Sequence, residues 1–377
     1  MLQKDVILLV SGGTGGHVFP AVALVHELKK RGYIVYLITD RRTKFLVEEL
    51  PSDSVYEISS SQINLSNPIV FYHSMVTLWK GLIDSLLLMR KLKPKVIVGF
   101  GGYTTVSPLL AAMILRISSM IHEQNVVMGR ANRLLSLGVK VIARGLFSQK
   151  KGFLSRKVIT TGNPIRDSFI KAAAIPYQLS HADKPFRLLI FGGSQGAKIF
   201  SEIIPQSISL LSFKQRQRLI IIQQVKEDER ESVQKYYENL GVKYELSSFF
   251  HNLEEHIAAA NLLICRSGAL TVSEIAAIGR PSILIPYPYA VNQDQLFNAQ
   301  LLQKDGGAEV IVQDSLSPKR LAKEISSAME HPERLLRMAQ QVFKKRSPEA
   351  VLLLSDVVEQ LARGKVMSTS LGRKGIC

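Results

Sequence analysis

Glycine clusters between an apolar run and a helical stretch bring main-chain N–H groups to one point, which suits a phosphate or another anion. This chain has two of them. "SGGTGGH", residues 11–17, follows the apolar run 6–10, and "GGSQGA", residues 192–197, follows "LLIF" at 188–191. The first lacks the third glycine of a dinucleotide fingerprint, and Asp40, at the start of a charged loop, is its only candidate ribose acid. The second fails that template too, and no Gly-Lys-Ser/Thr follows either one. A tight turn with no ligand explains each cluster alone. Their recurrence at matching places in two halves favours phosphate binding.

Titratable and amide side chains gather at similar points. His17 stands where a helix begins, placed to face the same space as the loop amides and to take a proton. A bond to a neighbouring carbonyl is its plainer reading. "HEQN", residues 122–125, puts four polar residues at the carboxyl end of a strand, a costly arrangement in a core and a useful one in a cleft. Glu123 is a second candidate base, or a holder of a sugar hydroxyl. Asn125 suits an acetamido carbonyl, and His122 reads as structural. In "CRSGALTVSE", residues 265–274, Glu274 lies on a helix that starts beside a loop, where a carboxylate can accept both ribose hydroxyls. A solvated helix residue is the alternative. "NQDQLFNA", residues 292–299, opens a helix with amides and one acid suited to sugar hydroxyls, or is an ordinary polar helix start.

Some chemistries are disfavoured. The sequence holds no Asp-X-Asp and no His/Cys/Asp cluster at metal spacing. No metal and no cofactor is therefore expected. A departing nucleoside diphosphate would be met by main-chain amides, helix dipoles and arginines.

The elements that must position these residues alternate. Residues 5–10 read as a strand, 18–31 as a helix and 33–39 as a strand, the spacing of a parallel crossover. Strand-length apolar runs follow at 95–99, 119–122 and 139–143, with helices expected at 104–115 and 129–137 between them. The pattern pauses near residues 160–169, and the proline- and alanine-bearing stretch 172–186 reads as an interdomain linker. Alternation then resumes with strands at 187–192, 218–223, 242–246, 261–265 and 282–286. The helices of this half are expected at 196–211, 229–239, 269–278, 293–303 and within 317–363. The class is α/β, as two doubly wound parallel-sheet domains. The expected division is 1–163, 164–345, a helix at 346–364 returning towards the first domain, and a loose basic tail at 365–377. Ligands bind beyond the carboxyl ends of such strands, so two such domains facing across a cleft would place one glycine turn on each wall.

The chain of 377 residues is long enough for two cores, and 46% hydrophobic against 21% charged residues describes a folded protein. Cys265 and Cys377 are the only cysteines, which gives no disulfide framework and points to a reducing cytoplasm. The first residues run directly into a strand without a secretory signal. A formal net charge of +17 draws the protein towards something anionic. No nucleic-acid-reading motif is present, so nucleic acid is not an expected partner. Residues 69–95 are apolar and end in a basic cluster, but His73, Lys80 and Asp84 interrupt them. That pattern reads as an amphipathic helix packed on the sheet, or as one that rests at a bilayer surface through Trp79 and its flanking lysines.

"GGTGGHVFP" near the start, "GGY" at 101–103, "HEQN" at 122–125, "GNPIR" at 162–166, "GGSQGA" at 192–197, "CRSGALTVSE" at 265–274 and "DQLFNA" at 294–299 occur together in this order. In these motifs the sequence resembles the MurG family, the bacterial peptidoglycan N-acetylglucosaminyltransferases, over roughly residues 5 to 360. The resemblance implies a GT-B fold of two Rossmann-like domains. It implies transfer of N-acetylglucosamine from UDP-GlcNAc to the 4-hydroxyl of the muramoyl sugar of lipid I, giving lipid II with inversion. It also implies a peripheral place on the cytoplasmic face of the plasma membrane, where the basic charge and residues 69–95 would meet anionic lipid. By motif, the donor-contacting positions would be Thr14, Gly15, Gly16, Asn125, Arg166, Ser194, Ala269, Leu270, Thr271, Val272, Ser273, Glu274 and Gln295, with a main-chain contact from Phe250 to the base. His17 or Glu123 would take the proton. Two other readings stand beside this one: a UDP-GlcNAc 2-epimerase, and a nucleotide-sugar-binding module without catalysis.

Overall fold

The computed structural model describes residues 5–47, 50–51, 54–60, 67–146, 153–193 and 196–364. The expected basic tail lies outside them. The chain forms two compact units: Met1–Arg166 together with the segment that begins at Ser347, and Asp167–Arg346.

The first unit contains β1 (Val6–Val10), α1 (Gly15–Lys30), β2 (Ile34–Thr39), β3 (Val55–Glu57), α2 (Pro68–Leu92) and β4 (Val96–Gly99). It continues with α3 (Val106–Ile114), β5 (Ser118–Glu123), α4 (Arg130–Leu135), β6 (Val141–Arg144) and β7 (Val158–Thr160). The strands make one parallel seven-stranded sheet in the order β3-β2-β1-β4-β5-β6-β7.

In the second unit α5 (Asp167–Ala172) precedes β8 (Phe186–Phe191), α6 (Lys198–Ser209), α7 (Phe213–Arg218), β9 (Leu219–Gln224), α8 (Glu227–Leu240) and β10 (Lys243–Ser247). Then come α9 (Leu253–Ala259), β11 (Leu262–Cys265), α10 (Ala269–Ile278), β12 (Ser282–Leu284), α11 (Asp294–Gln303), β13 (Ala308–Val310), α12 (Pro318–Glu330) and α13 (Pro332–Phe343). This sheet is also parallel, in the order β10-β9-β8-β11-β12-β13. A last helix, α14 (Ala350–Ala362), returns to the first unit.

Strand pleating explains the two-sided core. In β1, Ile7 and Leu9 face α1 and α14, while Leu8 and Val10 face the layer of α2, α3 and α4. Both faces of a parallel sheet are covered, so its strands read as unbroken apolar runs. The helix α14 contributes Leu354, Val357, Val358 and Leu361 to this core. Arg31, at the end of α1, ties it down through Asp356 at 2.7 Å while also holding Glu27 at 2.8 Å.

One expectation changes. The stretch 172–186 is no interdomain linker; it belongs to the second unit. Its irregular main chain is satisfied there. The carbonyl of Ile175 accepts from Arg280 at 2.8 Å, and the Tyr177 hydroxyl donates to the carbonyl of Asn261 at 3.0 Å. Helix α2 packs on the fold, as expected. Its fully buried positions are small residues, Ser74, Gly81 and Ser85, with Met89, and Leu82, Leu86, Leu88 and Leu92 are partly buried against the core beside them. A Cβ on Gly81 would lie 2.7 Å from the carbonyl oxygen of Ser59 and 3.3 Å from Ser107 Oγ, so only glycine allows this approach. Much of the helix's apolar surface is left outward: Tyr72, Val76, Trp79, Ile83 and Leu87 form an exposed stripe at helical spacing.

Candidate active site

In each sheet the strand order reverses once, between β1 and β4 in the first and between β8 and β11 in the second. Such a switch point opens a crevice at the carboxyl ends of its strands. The chemistry-bearing motifs fall there in both units.

In the first unit, β1 runs into Gly12 and Gly13, and Thr14 caps α1 in extended geometry. The first N–H groups of a helix have no partner within it, so Gly15 and Gly16 begin α1 with donors aimed outward. A Cβ on Gly12 would sit 2.4 Å from Thr104 Oγ1 and 2.9 Å from Asp40 Oδ2. Asp40 is committed to this packing: it accepts from Thr104 at 2.9 Å, from Arg42 at 3.0 Å and from the Thr43 hydroxyl at 3.0 Å. It is a structural carboxylate, consistent with a turn that is not a dinucleotide fingerprint. The guanidinium of Arg166 lies 4.8 Å from the ring centre of Phe19, so it stands near the start of α1.

His17 occupies the first turn of α1. Its ring lies against the main chain of Gly101 and Gly102, both at positive φ. A Cβ on Gly101 would come within 3.2 Å of His17 Cε1, which is why "GGY" needs its glycines. His17 Nδ1 and Gln124 Oε1 are 3.2 Å apart. Burial lowers the pKa of His17 below its ordinary value, opposed by the nearby charge of Glu123 and by hydrogen bonds to Gln124 and Phe100.

Glu123 ends β5 and is buried. One carboxylate oxygen accepts from the Asn125 main chain at 3.0 Å and from its side-chain amide at 3.3 Å. The other accepts from the main chain of Gly129 and the side chain of Asn132, both at 2.9 Å. Glu123 thus shapes the loop from 124 to 132, and the Asn125 amide is turned towards it. His122 is fully buried, with Nε2 3.0 Å from the carbonyl oxygen of Gly162, and desolvation takes its pKa down to about 4.

In the second unit, β8 runs into Gly192 and Gly193. A Cβ on Gly192 would be 2.4 Å from the main-chain nitrogen of Ala197, and Gly193 and Gly196 both have positive φ. Ser194 lies outside the described residues. Strand β11 leads through Arg266, Ser267 and Gly268 into α10, whose opening residues are Ala269, Leu270 and Thr271. Val272 is buried against the core, and the Ser273 hydroxyl donates to the carbonyl of Ala269 at 2.9 Å. Glu274 lies on the second turn and is 5% exposed, a carboxylate too buried for an ordinary solvated helix residue. Gln295, at the start of α11, accepts from the main-chain nitrogens of Ser267 at 3.3 Å and Tyr287 at 3.0 Å, stapling the loops that follow β11 and β12. Phe250 follows β10 and is buried beside the ring of His256.

Sequence reasoning assigned no role to Gln124, Asn132 or Asn163. The Asn132 amide donates to Glu123, and the Asn163 amide donates to the main-chain carbonyl of Gln124 at 3.1 Å. A Cβ on Gly145 would overlap Asn163, so this glycine makes room for it. The signal for these residues was their place inside or beside "HEQN" and "GNPIR", but bonds between distant segments have no local sequence mark.

Family models for the glycosyltransferase family 28 N-terminal domain and C-terminal domain match residues 7–143 and 187–354. The chain is 48% identical to a protein of Rhizobium meliloti (strain 1021) named UDP-N-acetylglucosamine--N-acetylmuramyl-(pentapeptide) pyrophosphoryl-undecaprenol N-acetylglucosamine transferase, over 97% of this chain and 98% of that one. A protein of the same name from Agrobacterium fabrum is 46% identical, over 97% of this chain and 96% of that one. Among solved structures, MurG of Acinetobacter baumannii superposes with a TM-score of 0.76 at 28% identity, covering 95% of this chain and 100% of that one. A UDP-GlcNAc 2-epimerase of Neisseria meningitidis shares the fold, with a TM-score of 0.63 at 15% identity, covering 94% and 100%.

Proposed function

The chain belongs to glycosyltransferase family 28, and on that premise we propose that it moves N-acetylglucosamine from UDP-GlcNAc to the 4-hydroxyl of the muramoyl sugar of lipid I, forming lipid II. The observation that carries this reading is near-full-length identity with transferases of that name. The two switch-point sites support it, because each offers main-chain donors and helix starts to an anion.

The reaction is one displacement. The acceptor hydroxyl gives its proton to His17 as its oxygen bonds to the anomeric carbon. The bond from that carbon to the diphosphate oxygen breaks, UDP departs with the electron pair, and the configuration inverts. Glu123 is the second candidate base. Its four hydrogen bonds favour a part in holding the loop that presents Asn125. On the second unit, Glu274 accepts the ribose hydroxyls, the main chain at Phe250 meets the base, and Gln295 holds the loops after β11 and β12. Ser194 and the first turn of α10, Ala269 to Thr271, meet the diphosphate, with Val272 and Ser273 completing that segment. On the first unit, Thr14, Gly15, Gly16, Asn125 and Arg166 offset charge and contact the donor sugar.

The exposed stripe on α2 supports a place at an anionic bilayer surface. Lys80, Arg90, Lys91, Lys93 and Lys95 are exposed on and after the same helix, and α3, packed against it, exposes Leu110 and Ile114. Apolar residues set among cations fit a membrane interface. No helix of the described residues is long and apolar enough to cross a membrane.

Product analysis tests the function. With UDP-GlcNAc and a lipid I analogue, the expected products are UDP and the β-linked disaccharide lipid. UDP-ManNAc formed from UDP-GlcNAc alone would establish the epimerase instead, and binding without turnover would establish a non-catalytic module.

A further inference from the structure

Gln124 is 2% exposed, and its side-chain amide lies between two partners. Its Nε2 donates to the main-chain carbonyl of Phe100 at 2.8 Å, and its Oε1 is 3.2 Å from Nδ1 of His17. A carbonyl oxygen can only accept, so the amide must turn its NH2 to Phe100 and its oxygen to His17. An amide oxygen also can only accept, so His17 Nδ1 must carry a proton. From this relay we infer that Gln124 is a positioning residue that fixes His17 as the Nδ1–H tautomer and leaves Nε2 as the proton acceptor for the glycosyl transfer. The inference rests on the transferase reading above and adds a residue to it.

The surroundings hold each part of the relay. Phe100 follows β4 directly, and its N–H donates to the carbonyl of Val10 at 2.9 Å, so the receiving carbonyl belongs to the rigid end of the sheet. The main chain of Gln124 is held by Asn163 at 3.1 Å. Gly101 and Gly102 lie close along the imidazole. Which ring nitrogen of a histidine is protonated is set by the hydrogen bond the other one makes. Free in water, a neutral histidine side chain prefers the Nε2–H form, which could not accept a proton at Nε2. The contact with Gln124 reverses that preference.

The test reads the tautomer directly. Long-range 1H–15N correlation spectra of 15N-histidine-labelled full-length protein, with the His17 signals assigned by their loss in His17→Ala, report which nitrogen carries the proton. The wild type is expected to show Nδ1–H. Gln124→Met, close in shape but unable to accept, is expected to move the population towards Nε2–H. Gln124→Glu, which keeps an acceptor facing Nδ1, is expected to retain Nδ1–H. In kinetics, Gln124→Met should lower kcat about 10- to 100-fold with little change in the KM for UDP-GlcNAc. It should cost nothing further in a His17→Ala background, because the two residues act as one unit. Nε2–H in the wild type, an unchanged tautomer in a folded Gln124→Met protein, or an equal loss of kcat in both backgrounds would each overturn the inference. The tautomer is read on the free enzyme, so failure here is distinguishable from failure of the transferase reading, which the product analysis detects.

Discussion

Single side chains decide the chemistry. Burial holds the His17 pKa down, so the ring is neutral and ready to accept a proton near neutral pH, with Glu123 and His122 as its charged or titratable neighbours. The acid limb of kcat/KM, which reports the free enzyme, should therefore have its midpoint below 6.5. Replacing His17 with Ala should lower kcat by about 10²- to 10⁴-fold, while a rise in acceptor KM alone would make it a binding residue. His122 makes a separate prediction about stability. Its pKa falls from 6.5 to about 4 on folding, so between those values the unfolded chain binds the extra proton. Stability present above pH 6.5 is lost as pH falls through this window, by about 3 kcal/mol at most. Urea unfolding across that range should show a shallower pH slope in His122→Asn than in the wild type; equal slopes would contradict it. Of the residues just discussed, His17 stood out in the sequence because a histidine directly after a glycine turn is conspicuous, and the structure sets it, half-buried, beside Gln124. The engagement of Glu123 was not legible, because Gly129 and Asn132 reach it only once the loop after β5 has folded back.

Elements carry the site by where they end. The strands next to each switch point were legible as apolar runs, since a parallel strand is buried on both faces. The short strands β3, β7 and β13 were not, because each has only three residues, mixed in burial, and shows no apolar run. Helix α2 was legible as a helix, and Trp79 as a residue that could rest at a bilayer, but the extent of its outward apolar face was not. Hydrophobic periodicity alone assigns the apolar side inward, whereas Gly81 and Ser85 make a close-packed inner face and leave Trp79 and Ile83 outside. Changing both Trp79 and Ile83 to Gln should weaken sedimentation with anionic vesicles at least about tenfold, since each apolar side chain contributes on the order of 1.5–3 kcal/mol when buried. Raised salt should weaken it further. Association unaltered by both changes would remove α2 from the membrane contact. Arg280 shows an element-level device of another kind. It is buried, and its guanidinium donates to the carbonyls of Ala258, Ile278 and Ile175. A cation thus sits where α9 and α10 end and just beyond α5, where helix dipoles are negative.

At the scale of the whole molecule, one architecture is used twice. Each unit is a parallel sheet with a single reversal of strand order, and each carries a glycine turn after the first strand of the reversal, with polar residues after β5 in the first unit and after β11 in the second. This duplication was readable in the amino-acid sequence, because the glycine turns recur there after matching apolar runs. A helix at 346–364 returning towards the first domain was expected from the sequence, but the contact that anchors α14 there, Arg31 to Asp356, spans most of the chain and has no local sequence mark. In the proposed reaction, main-chain donors, helix starts and arginines steady the departing diphosphate while a histidine takes the acceptor proton. The most direct measurement is the rate of UDP release from UDP-GlcNAc with a lipid I analogue, in excess EDTA and again with added magnesium. Equal rates are expected in both, with UDP and β-linked product formed one for one; turnover abolished by the chelator and restored by magnesium would contradict a metal-free departure of the diphosphate.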